Sequence, residues 1–128
     1  RNEWEGGGRP WEQSMFVVTT VISRSPARRT VVVDAGLKAV SYDSGPPSVF
    51  GHEEWEVTCG GCEHSVVQIP EGAALPEVGS RLYLVPGHVD PTFNMHDALV
   101  CVRRGEGKPL EAAVVEGVFP IEARGAGF

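Results

Sequence analysis

The residues best suited to chemistry stand in one short stretch, Pro86-Gly87-His88-Val89-Asp90-Pro91-Thr92-Phe93-Asn94-Met95-His96-Asp97. It follows an apolar run, and loops at strand ends are where sites usually lie. His88 and Asp90 are two apart. In extended backbone that spacing puts both side chains on one face, able to clamp one cation. An imidazole nitrogen with a carboxylate suits Zn, Mn or a similar divalent metal. Two protein ligands leave positions for water or substrate, as Lewis-acid catalysis requires. Spacing alone also allows a plainer role, a polar loop whose His and Asp satisfy backbone groups.

Cys59-Gly60-Gly61-Cys62 with His64 is the rival constellation. A structural zinc needs four ligands, so His52 or His64 would have to complete the set. A redox pair normally sits between a strand and a helix, whereas these cysteines flank a hairpin turn. The third reading is a turn without chemistry. Glu53, Glu54 and Glu56 read as a solvated strand face rather than paired acid/base carboxylates. Lys38, flanked by Leu37 and Ala39, reads as a surface residue rather than a Schiff-base lysine. No glycine-rich phosphate loop and no Ser/His/Asp pattern is present.

The chain of 128 residues suits one domain. With 16 Gly and 10 Pro it is rich in turn formers, which argues against long helices. A net charge of -6 makes a phosphate backbone a poor partner, so nucleic acid is excluded as a ligand class. The apolar runs are a few residues long, and a spanning helix needs roughly 20, so no membrane partner is expected. Three cysteines cannot all pair within the chain, which favours a reducing compartment. The start lacks Met and an apolar leader. It reads as a cut inside a longer protein, with a processed natural start as the alternative.

Residues 1–13, with Gly6-Gly7-Gly8 and Pro10 between Trp4 and Trp11, read as a loop leading into a β domain over 14–128. Residues 14–23 are β-branched and apolar, a strand buried on both faces for part of its length. Arg29–Asp34 is its hairpin partner, and Leu37–Tyr42 a short further strand. Residues 43–52 form a loop. Glu54–Thr58 and Glu63–Ile69 flank Gly60-Gly61 as a hairpin. Leu82–Val85 is a strand, residues 88–97 are irregular, and Ala98–Arg103 pairs with Leu110–Val115. Val118–Ile121 is a last strand or the end of that one. The fold class is therefore all-β: a small barrel or sandwich of about eight short antiparallel strands.

Two separated motifs carry a resemblance. Val31-Val32-Val33-Asp34-Ala35-Gly36-Leu37-Lys38-Ala39-Val40-Ser41, with Asp43 and Gly45-Pro46, is similar to a signature of the C-terminal domain of the D-threonine aldolase and D-serine dehydratase family. Val78-Gly79-Ser80-Arg81 with Leu84-Val85-Pro86-Gly87-His88-Val89-Asp90-Pro91-Thr92-Phe93-Asn94 resembles the second signature. Ile121-Glu122-Ala123-Arg124-Gly125 resembles the family's C-terminus. The likeness runs in order from residue 14 to residue 125.

The resemblance implies a fold-type III pyridoxal-phosphate enzyme. An N-terminal barrel holds that cofactor on a lysine absent from this chain. The C-terminal β domain completes the site and binds a divalent metal (Mn, Mg or Zn) through His88 and Asp90. Thr92 and Asn94 stand as cofactor- or substrate-binding residues. The aldolase branch carries Asp at the second ligand and the dehydratase branch Cys, so Asp90 leans toward an aldolase acting on β-hydroxy D-amino acids, the oxygen ligand matching a harder cation. The implied parent is a cytoplasmic homodimer, and this domain alone is expected to be inactive. Trp55 stands where the family often carries His, and Cys59-Gly60-Gly61-Cys62 has no counterpart in the family pattern. A non-catalytic module that binds metal or a partner is the alternative from another class.

Overall fold

The computed structural model describes residues 11–125. A run of β-branched Val, Thr and Ile gives a first strand, β1 (Val17–Ser25), that puts Val17, Thr19 and Val21 inward. Only that face is buried. Val18 and Ile22 stay about half exposed, because no second layer covers the outer side among the described residues. The expected burial on both faces is thereby corrected.

The order of pairing follows the turns. β2 (Thr30–Val33) returns against β1, and β5 (Ser65–Gln68) pairs with β2. β4 (Glu56–Cys59) pairs with β5. On the other side β6 (Arg81–Val85) pairs with β1, and β3 (Ser48–Val49) with β6. The sheet runs β3-β6-β1-β2-β5-β4, antiparallel throughout. It curls until β3 and β4 come together at its ends, a nearly closed barrel. Val21, Val31, Val33, Val40, Val49, Val67, Ile69 and Leu84 fill the interior with no exposed surface to speak of. Each such side chain contributes about 1.5–3 kcal/mol by leaving water. Trp55 joins this core and stacks on His52, with ring centroids 3.9 Å apart.

The last two strands, β7 (Ala98–Arg103) and β8 (Val114–Pro120), form a separate two-stranded ribbon. Leu110–Ala112 is a 3-10 turn after Pro109, so the partner strand starts later than its apolar pattern implies and includes Val118–Pro120. No helix among the described residues is long and apolar enough to cross a membrane.

The segment expected as a strand at Leu37–Tyr42 is instead a knot of turns. Ala39 and Val40 N–H both donate to Gly36 C=O, while Leu37 and Lys38 N–H donate to Gly61 and Cys62 C=O at the tip of the β4–β5 hairpin. These bonds use the donors a strand would need. They also bring backbone against backbone: a Cβ on Gly36 would lie 2.5 Å from both Gly61 O and His64 N. Gly36→Ala is therefore expected to lower stability by about 1–3 kcal/mol through overpacking. Urea unfolding followed by tryptophan fluorescence measures it.

Asp34 ties the end of β2 to β1. Its Oδ1 accepts from the Thr19 hydroxyl at 2.7 Å and from Thr20 N–H at 2.8 Å. Partial burial pushes the carboxyl up, but these two donors outweigh it and hold the group below its ordinary value. The folded-state value is depressed, so the stabilisation is present above the unfolded value near 4 and is lost as pH falls through the lower, folded one. Asp34→Asn is expected to flatten the fall of Tm with acidification below about pH 4. Melting curves of both proteins from pH 6 to 3 give the comparison.

Candidate functional site

β6 delivers the chain to Pro86-Gly87 and then to His88. Gly87 lies against the 44–45 turn, where an added Cβ would sit 3.1 Å from Gly45 O. That close approach seats His88 beside Asp43. The backbone then departs from the extended path that would set His88 and Asp90 on one face, and residues 88–97, expected as irregular, hold a helical turn. His88 keeps extended angles, but Val89–Phe93 forms a short helix, α1. Pro91 is tolerated in its first turns, where N–H groups have no partner to lose. The helix start, rather than the pleat of a strand, brings Asp90 back toward His88.

His88 Nδ1 lies 2.7 Å from Asp43 Oδ2, and His88 Nε2 lies 4.0 Å from Asp90 Oδ2. The Ser41 hydroxyl donates to Asp43 Oδ1 at 2.6 Å. That donor first, and His88 second, hold the Asp43 carboxyl below its ordinary value. His88 is partly exposed, Asp43 and Asp90 more so, which leaves the imidazole edge open to solvent.

Thr92 is wholly buried. Its hydroxyl donates to His88 C=O at 2.7 Å and accepts from Ser41 N–H at 3.1 Å. It thus pins the two loops together and sits under the site. Asn94 lies at the surface, and its Oδ1 accepts from Gly125 N–H at 3.2 Å. His96 is spent structurally, its Nε2 donating to Ala39 C=O at 2.6 Å. Asp97 pairs with Arg124 at 2.8 Å. An open depression bordered by Ser41, Tyr42, Asp43, Pro91 and Asn94 adjoins the pair. Other hollows border the β7–β8 ribbon and contain neither His88 nor Asp90.

The arrangement has the donor set for a divalent cation. Two donor atoms 4.0 Å apart lie within the span of two metal–ligand bonds of about 2.1 Å each. The carboxylates on both sides of one imidazole make the local potential negative. Among the described residues no group of three or more His, Cys, Asp or Glu forms a finished cage. The His88–Asp90 pair offers two donor groups and stands open to solvent. Cys59, Cys62 and Cys101 are free thiols, and the first two are exposed. Lys38 is exposed and ion-paired with Glu63 at 2.7 Å, the surface residue its flanks predict. Trp55, a core residue, brings no imidazole to its position.

Asp43 and Ser41 are the site residues that sequence spacing does not reveal. Asp43 stands 45 positions before His88. Its signal is indirect: Ser41 and Asp43 belong to one signature stretch and His88 to the other, and the fold lays the two side by side.

Comparisons with known proteins identify the family. Residues 14–102, more than half of the chain, match the family described as "Putative serine dehydratase domain". A D-threonine aldolase from Arthrobacter sp. is 47% identical over 124 residues, which cover 97% of this chain and 30% of that protein. A 3-hydroxy-D-aspartate aldolase from Paracoccus denitrificans is 43% identical over 118 residues, covering 92% of this chain and 28% of that protein. The crystal structure of a D-threonine aldolase from Filomicrobium marinum superposes with a TM-score of 0.80 at 36% identity, over 96% of this chain and 32% of the other. The chain therefore spans about 30% of the length of the curated relatives it matches. Fold, motif order and these likenesses converge: the chain belongs to the D-threonine aldolase and D-serine dehydratase family.

Proposed function

We propose that this chain is the C-terminal, metal-binding domain of a pyridoxal-phosphate-dependent lyase that cleaves β-hydroxy D-amino acids to glycine and an aldehyde. The observation that carries the reading is the His88–Asp90 pair, open on one side and set in the second family signature. The names of the similar aldolases support the reaction class. The hard oxygen of Asp90 supports the aldolase reading over the dehydratase one.

His88 Nε2 and an Asp90 carboxylate oxygen would hold the cation, Mn, Mg or Zn. A divalent cation held there supplies Lewis acidity to a substrate hydroxyl. Pyridoxal phosphate, held by a lysine elsewhere in the parent, supplies an electron sink for the carbanion left when the Cα–Cβ bond breaks. This chain's own residues orient and recruit. Thr92 fixes the height of the His88 loop against Ser41. The open side of the pair admits the hydroxyl, and the neighbouring depression gives it room. Its partners in this reading are the N-terminal barrel of the parent and a small D-amino acid, with a cytoplasmic homodimer as the assembled form.

Calorimetry with Mn²⁺ and Zn²⁺ on this chain tests the reading. Binding is expected to be weak, since two protein ligands rarely hold a metal tightly. It is expected to vanish in the His88→Ala/Asp90→Ala double variant. Binding that survives the double change would move the metal elsewhere, with Cys59 and Cys62 the first residues to test.

A further inference from the structure

We propose that Asp43 is the positioning residue of this site: it holds the His88 proton on Nδ1 and so leaves the Nε2 lone pair facing Asp90. The inference deepens the metal reading above and rests on it.

The argument starts from what each group can offer. A neutral imidazole carries one N–H and one lone pair, and its neighbours decide which nitrogen has which. An ionised carboxylate accepts only. Asp43 Oδ2 is 2.7 Å from His88 Nδ1, so the proton belongs on Nδ1. Two groups compete. The Ser44 hydroxyl could donate to Nδ1 from 3.5 Å, at the limit of a hydrogen bond, and the Asp90 carboxylate could draw the proton to Nε2 from 4.0 Å, beyond that limit, so Asp43 wins.

Asp43 is itself held. Its other oxygen, Oδ1, takes the Ser41 hydroxyl at 2.6 Å, so the two carboxylate oxygens have separate tasks. The Ser41 backbone also reaches His88 by a second route, through the buried Thr92 hydroxyl to the His88 carbonyl. Ser41, Asp43, His88 and Thr92 therefore close a ring of hydrogen bonds that fixes the backbone and the side chain of His88 independently. A carboxylate behind a ligating imidazole also makes the distal nitrogen a better donor to a cation.

The test reads the ring proton directly. Long-range ¹H–¹⁵N NMR of this chain without metal, at pH 8, is expected to show His88 as the Nδ1–H form. Asp43→Ala is expected to move it toward the Nε2–H form, and Asp43→Asn, which keeps an acceptor without the charge, to retain Nδ1–H. In calorimetry with Mn²⁺ and Zn²⁺, Asp43→Ala is expected to weaken binding by about 10–100-fold. Asp43→Asn is expected to lose less. Thermal melts that coincide with the parent chain control for folding, as expected for a residue this exposed. A wild-type Nε2–H form would overturn the proposal. So would cation binding that depends on His88 yet is unmoved by Asp43→Ala, an outcome that leaves the metal reading intact. A ring proton that follows Asp43 while neither cation binds any variant supports the orientation assigned to Asp43 and overturns only the metal reading.

Discussion

On the function proposed above, His88→Ala in the full-length parent is expected to lower kcat/KM for cleavage of a β-hydroxy D-amino acid such as D-threonine by roughly a thousand-fold. Lewis-acid stabilisation of developing charge on a substrate oxygen is worth several kcal/mol, and each 1.4 kcal/mol is a factor of ten. The change removes a solvent-facing imidazole, while the backbone of residue 88 stays pinned through its carbonyl to Thr92. Tm should hardly move. Aldehyde release, followed with a coupled alcohol dehydrogenase at saturating Mn²⁺, gives the rate. A variant within tenfold of wild type would remove His88 from the chemistry.

The second large effect falls on stability. Thr92→Val keeps the volume of a wholly buried side chain and deletes its hydroxyl. Ser41 N–H then loses its acceptor and His88 C=O loses its donor. A buried polar group left unmatched costs about 1–3 kcal/mol, so the pair should cost roughly 2–5 kcal/mol, or about 10 °C in Tm for a domain this small. Thr92→Ser keeps both hydrogen bonds and loses one methyl, about 1 kcal/mol. Differential scanning calorimetry separates the two. Equal losses in both variants would mean that packing, not the hydroxyl bridge, holds the loops together.

Strand content was readable in the sequence wherever β-branched residues alternate or cluster between turn formers, as at β1, β2, β5 and β7. It was less readable where backbone donors are claimed by a distant segment. Leu37–Tyr42 has strand composition, but its N–H groups go to Gly36 and to the hairpin tip around Gly61. No local pattern records that partner. α1 is shorter than any window in which helical periodicity can show, so its residues read as irregular. Within the site, His88 and Asp90 were legible as a pair through their spacing and motif. Asp43 was not, because its link to His88 is made by the barrel and not by the chain. The two-residue β3 fell inside a loop rich in Gly and Pro, where pairing with β6 decides the matter.

The β7–β8 ribbon has a consequence for handling this domain by itself. Val100, Val102, Val114, Val115, Val118 and Phe119 are all 45% exposed or more, and neither strand pairs with anything but the other among the described residues. Two free edges lined with β-branched side chains are a template for self-association. The domain on its own should therefore aggregate in a concentration-dependent way through this ribbon. A lysine at Val118, mid-strand on β8, would act as a gatekeeper against that stacking.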